Sequence, residues 1–173
     1  MIEPAWCSTM AGYNRWMNVR LYAICAGLTD EARKQDRGAF FKSVHSTLNH
    51  LLWGDRNWLG RFSGQAPALP GIGTDLYADF DELRRERDAT DTAILAWADD
   101  LTPQWLATDY TWKSGIDGLT RTLPFWVLVT QMFNHQTHHR GQLTTLLSQL
   151  GIDPGETDLP WLPALNAVRD RTA

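Results

Sequence analysis

The chain has 173 residues, enough for one domain with a sizeable buried core. Hydrophobic residues make up 43% and charged residues 21%, ordinary globular values that exclude disordered and fibrous classes. Lys+Arg 16 against Asp+Glu 20 gives a net charge of -4, which argues against a dedicated nucleic-acid binder, and no run reaches the ~18 apolar residues of a membrane helix.

Four long segments carry helical periodicity. The first is predicted from Ser8 to Leu28, with Met10, Tyr13, Met17, Leu21, Ile24 and Leu28 at steps of three and four, Ser8 as its N-cap and Gly27 as its stop. The second is predicted from Gly38 to Phe62, on a stripe of Phe41, Val44, Leu48, Leu51, Trp58 and Phe62, before a loop rich in Gly and Pro. The third, Tyr77 to Leu101, has a thinner stripe of Phe80, Leu83, Ile94, Trp97 and Leu101. Its DELRRERD run reads as a solvated face. Thr108–Trp112 and Leu119–Leu123, around Gly115 and Gly118, can form a short β-hairpin. The fourth helix is predicted from Pro124 to Leu150, closed by Gly151, and the Pro-rich tail DPGETDLPWLPAL reads as an extended cover. The fold class is therefore all-α: a four-helix bundle with long connections in a single domain over 1–173, with a short hairpin before the last helix.

Three of the five histidines fall between 135 and 139. His135 and His139 stand at i, i+4, about 40° apart on one face, a spacing at which two imidazoles can hold one metal. Both fall on the inward side of the Leu128–Met132–Leu143–Leu146–Leu150 stripe. His138 lies roughly 100° away from His139, on a flank, and an i, i+3 pair of His135 and His138 ranks second. The third ligand is His50 or His45. His50 shares a small, polar face with Ser43, Ser46, Thr47, Gly54 and Asn57, where Gly54 leaves room beside its ring, and the wheel favours it only slightly. Gln136 stands where a metalloprotease H-E-x-x-H helix carries its glutamate, and an amide cannot take that proton.

Around these residues, Asn57, Gln142, Trp53 and Asn14 are candidates for the pocket or for orienting a ligand, and Asn18 joins Asn14 at the pocket mouth. Arg140, about 140° from His135, reads as structural. Of the nine tryptophans, Trp58 and Trp97 read as core, whereas Trp16, Trp112, Trp126 and Trp161 lie off the stripes where a dimer interface could bury them.

YNRWMNVRL at 13–21, TLNHLLWGDRNWL at 47–59 and FNHQTHHRGQL at 133–143, with TDLPWLPAL at 157–165, resemble in order the DinB/YfiT-like superfamily of metal-binding four-helix bundles. The resemblance implies a divalent metal on His50, His135 and His139, leaving His45 and His138 as bystanders, and a tendency to homodimerise. Several members are thiol-dependent transferases or isomerases that use low-molecular-weight thiols. Three protein ligands with open positions make a catalytic arrangement, and imidazoles suit zinc and nickel first, with copper and iron also accepted. The reading is a metal-dependent enzyme acting on a small-molecule substrate, with thiol transfer ahead of hydrolysis and a non-enzymatic metal-binding, stress-associated protein as the alternative. No nucleic-acid or membrane partner is expected. Cys7 and Cys25 are too few for a disulfide framework, and MIEPAW carries an acid and no basic stretch, so a cytoplasmic protein is expected.

Overall fold

The computed structural model describes residues 1–65, 67–115 and 117–166. The end of the expected domain, 167–173, lies outside them. Four long helices, α1 (Pro4–Ala26), α3 (Val44–Phe62), α4 (Phe80–Asp99) and α6 (Phe125–Gln149), form the bundle. Short α2 (Asp30–Lys34) and α5 (Pro103–Ala107) lie in the connections, and α7 (Pro163–Asn166) closes the described chain after a 3₁₀ turn at Leu159–Trp161. Both α1 and α3 pack on α4 and on α6, so the order around the bundle is α1–α4–α3–α6. The expected hairpin forms as β1 (Asp109–Lys113) and β2 (Thr120–Pro124), antiparallel, with Thr111 opposite Thr122.

The helix boundaries differ from expectation where local chemistry outweighs the stripe. Helix α1 starts at Pro4, whose fixed φ suits the first turn, and not after Ser8. The Ser8 hydroxyl instead donates to the Ala98 carbonyl near the end of α4. Helix α3 starts at Val44 because the Ser43 hydroxyl accepts from the Ser46 N–H, which leaves residues 38–43 as a turn. Asp79 caps α4 in the same way through Glu82. The tail covers the bundle: Tyr13 donates to the Thr157 carbonyl, Arg20 to that of Glu156, and Leu162 is buried. Trp58, Trp97, Trp112 and Trp126 are partly buried within the chain, and Trp161 is exposed.

The core has two apolar ends. Met17, Leu21, Leu48, Leu83 and Leu146 belong to one, and Ala11, Phe62, Ile94, Val129 and Met132 to the other. Between them on α3, α4 and α6 lie buried polar groups. Asp55, Arg87, Asp91, Gln136 and Arg140 are all at most 3% exposed, together with Asn14 and Asn18 of α1. Arg87 donates to Asp55 at 2.6 Å and pairs with Asp91 at 2.8 Å. Asn18 and Asn14 donate to Asp91, Gln136 donates to Asp55 at 2.8 Å, and Arg140 donates to Asn14. The DELRRERD run is thus exposed at Asp81, Glu82, Arg84, Arg85 and Asp88 but not at Arg87, which corrects the solvated-face reading. A buried guanidinium needs charged partners, and these come from other helices or from one turn along its own.

Candidate metal centre

Helices α3 and α6 bring His50, His135 and His139 together. The Nε2 of His50 lies 3.0 Å from that of His135 and 3.2 Å from that of His139, and one ligand nitrogen from each ring falls within a 4.8 Å cluster. Three imidazole nitrogens bound tetrahedrally at 2.0–2.1 Å would sit about 3.3 Å apart, close to the two separations from His50, so the cluster could hold one cation. His139 Nδ1 is 2.8 Å from Gln142 Oε1; a ring N–H donated there leaves the Nε2 lone pair directed at the cluster. The Nδ1 atoms of His50 and His135 are buried and have no hydrogen-bond partner among the described residues.

Gly54 makes the convergence sterically feasible. A Cβ there would stand 2.5 Å from His135 Cε1 and 3.0 Å from its Nδ1. The space expected beside His50 therefore belongs to the ring arriving from α6. Gly54→Ala is expected to leave the helix intact but push His135 aside, lowering divalent-metal affinity by at least tenfold. Competition titration checks this, and unchanged affinity would show that His135 can shift freely.

Aromatic rings enclose His50. Phe41 stacks on it at 3.7 Å between centroids and 18° between planes, and also meets His139 edge-on at 5.4 Å. Trp53 lies parallel to His50 at 6.1 Å, its indole N–H donating to the Pro70 carbonyl. Phe41 reaches this position from the turn before α3, where Lys42 has φ 65 and its N–H donates to the Ala39 carbonyl. A non-glycine residue in that region costs of the order of 1–3 kcal/mol.

Burial holds the His50 imidazole down at about 3, with His135 and His139 adding to the effect. Burial likewise holds His135 at about 4 and moves His139 downward. The three rings are therefore neutral and able to ligate at neutral pH. Below about pH 6.5 the unfolded chain takes up protons that the metal-free folded chain does not. Stability of the metal-free protein should therefore fall as pH drops from about 6.5 toward 4, with a slope of up to three protons. Denaturant midpoints at pH 7 and pH 5 check this, and equal stability at both would refute it.

The other candidates separate cleanly. His45 is buried and donates to the Tyr77 carbonyl at 2.9 Å, and His138 is exposed on the flank, within 3.2 Å of the Gln142 amide. Asn57 is half-buried and makes no hydrogen bond to the described residues of the cluster. Asn14 and Asn18 do not line a pocket mouth; they are buried on Asp91, and Asn14 accepts from Arg140, since a carboxylate in the interior needs donors. Arg140 is structural. Gln136 faces Asp55 and not the imidazoles. Sequence reasoning missed Phe41 as a partner of His50, and Asp55 and Arg87 as interior charges. The only hint of Asp55 was an acid immediately after the inward-facing Gly54.

No helix among the described residues is long and apolar enough to cross a membrane. The DinB family model matches residues 1–171. The chain is 28% identical over 125 residues to the uncharacterized protein YrdA of Bacillus subtilis, a match covering 72% of this chain and 71% of that protein. It is 24% identical over 159 residues to Protein DinB of the same organism, covering 84% and 87%. A DinB-like protein from Bacillus cereus has the same fold, with a TM-score of 0.59 at 21% identity, covering 81% of this chain and 89% of that one. With three imidazoles gathered in a four-helix bundle and a family match running almost end to end, the chain belongs to the DinB family.

Proposed function

We propose that this protein is a metal-dependent enzyme in which His50, His135 and His139 hold one divalent cation, zinc or nickel, and a low-molecular-weight thiol attacks a small electrophilic substrate. The observation that carries this reading is the donor set itself: three neutral imidazoles converging on one point, with no carboxylate in the cluster among the described residues. Such a cation, with open coordination positions, would supply the Lewis acidity that lowers the pKa of a thiol or of water.

The chain's own residues favour the thiol. Gln136, in the position of a hydrolytic glutamate, is committed to Asp55, so no acid beside His135 on α6 can relay a proton from water. Nor do the cysteines supply the nucleophile, because burial pushes Cys7 up to about 11 and Cys25 up to about 12. The thiol therefore comes from outside. In the transfer its S–H proton passes to solvent, a C–S bond forms, and the electrophile's leaving group departs with its electron pair. Gln142 holds His139 in the ligating tautomer, while Phe41 and Trp53 keep His50 in place and shield its face from water. We further read the protein as a single cytoplasmic domain that acts as a homodimer. The unpaired cysteines support the compartment, and exposed Trp161 and Val19 leave apolar surface for a partner.

The test is turnover of an aryl chloride with glutathione or cysteine as probe thiols, on protein purified without a His-tag and loaded with zinc or nickel. Metal-dependent thioether formation that chelator removes supports the reading. Chelator-insensitive turnover, or none across a panel of thiols, favours a non-enzymatic metal-binding protein.

A further inference from the structure

The polar layer between the two apolar ends lies at the same level of the bundle as the three histidines. Asp55 directly follows Gly54, against which His135 rests, and Gln136 directly follows His135. The 2.8 Å hydrogen bond from Gln136 to Asp55 therefore ties α3 to α6 one residue from the contact that seats His135. Asp55 is itself held from the opposite side by Arg87 of α4 at 2.6 Å, and Arg87 by Asp91, which Asn18 of α1 holds at 3.0 Å. One connected set of hydrogen bonds and ion pairs thus runs from α1 through α4 to α3 and reaches α6 at Gln136 beside a ligand, while Arg140 of α6 joins it at Asn14. Apolar burial is non-directional, whereas a buried carboxylate between two charge-assisted partners fixes distance and angle.

We propose that Gln136 and Asp55 act as positioning residues that lock α3 and α6 at the register in which His50 meets His135 and His139, so that this tether sets metal affinity. Neither residue is a ligand. Gln136 acts through the helix that carries His135 and His139, and Asp55 through the turn that carries Gly54. The proposal rests on the metal-site reading above and adds to it what holds the site in shape.

The experiment compares wild type, Gln136→Met and Asn18→Ala for Zn²⁺ affinity by chelator competition, for the visible spectrum of bound Co²⁺, and for the denaturant midpoint. Gln136→Met matches the side chain's length and removes the donor at the ligand end. Asn18→Ala removes a donor that serves Asp91, where Asn14 and Arg87 still hold that carboxylate and the Arg140–Asn14 bond is left in place. The expected result is a ten- to hundredfold loss of Zn²⁺ affinity and an altered Co²⁺ spectrum in Gln136→Met, the scale of losses seen when residues behind metal ligands are removed. Asn18→Ala, at a comparable loss of stability, should stay within about twofold of wild type. Should Gln136→Met fail to fold, Gln136→Asn takes its place, keeping the amide but losing the reach to Asp55. Wild-type affinity in the Gln136 variant, or losses that merely track stability in both variants, would overturn the proposal. Absence of metal binding by wild type itself would instead overturn the metal-site reading.

Discussion

Zn²⁺ at about 1,000 times its dissociation constant should raise the melting temperature of the metal-free protein by about 8–16 °C. A ligand that binds only the folded state stabilises it by about 4.1 kcal/mol at that concentration, and a chain of this length gains about 2–4 °C per kcal/mol. His139→Ala should abolish the shift. It removes one of the three nitrogens that could hold the cation among the described residues, and that nitrogen comes from the ring that Gln142 orients. The affinity loss should exceed the ~10–100-fold expected for removing a residue behind a ligand. The same substitution removes a buried ring that meets Phe41 and lies within hydrogen-bond distance of His50, so the metal-free variant should be somewhat less stable than metal-free wild type. Differential scanning fluorimetry with and without Zn²⁺ reads both effects. An equal Zn²⁺ shift in His139→Ala would place the cation elsewhere.

The legibility of the site follows from how local its determinants are. His135 and His139 could be paired from their spacing because both stand on one helix whose stripe gives the inward direction. His50 could not, since its face is polar and lies beside the stripe of α3; the family resemblance decided it, and the convergence of the rings agrees. Phe41 escaped for the opposite reason. It continues the period of α3 in sequence, but the cap at Ser43 ends that helix before reaching it, and the turn through Lys42 lays its ring on His50. The four long helices and the hairpin were readable because periodicity and turn residues act over a few positions. Arg87 was not, because what makes a buried arginine tolerable lies partly on another helix, and Asp91 one turn on reads as one more charge of a polar run.

That buried arginine is where the largest loss of stability is expected. Burial opposes its charge, but Asp91 and Asp55 overcome it and keep the guanidinium protonated; burial also pushes the Asp91 carboxyl upward. Arg87→Met preserves much of the volume yet leaves two carboxylates facing each other in the interior, so it should cost about 3–5 kcal/mol, or roughly 6–20 °C in melting temperature. The charge and not the packing is responsible if neutralising the carboxylates restores stability. In Asp55→Asn/Arg87→Met/Asp91→Asn the carboxylates no longer face each other, and Arg140, the charge that stays in this layer, keeps its bond to Asn14. Gln136 can then turn its amide so that the Oε1 atom, which has no partner among the described residues, accepts from the amide introduced at position 55. The triple variant should therefore recover most of the lost melting temperature and still bind Zn²⁺, because the link between α3 and α6 survives in neutral form. Urea midpoints and Zn²⁺ titrations on the single and triple variants separate the alternatives. A triple variant as unstable as Arg87→Met would show that this layer is held by shape, and one that folds well but no longer binds Zn²⁺ would show that the Asp55 charge acts directly at the histidines.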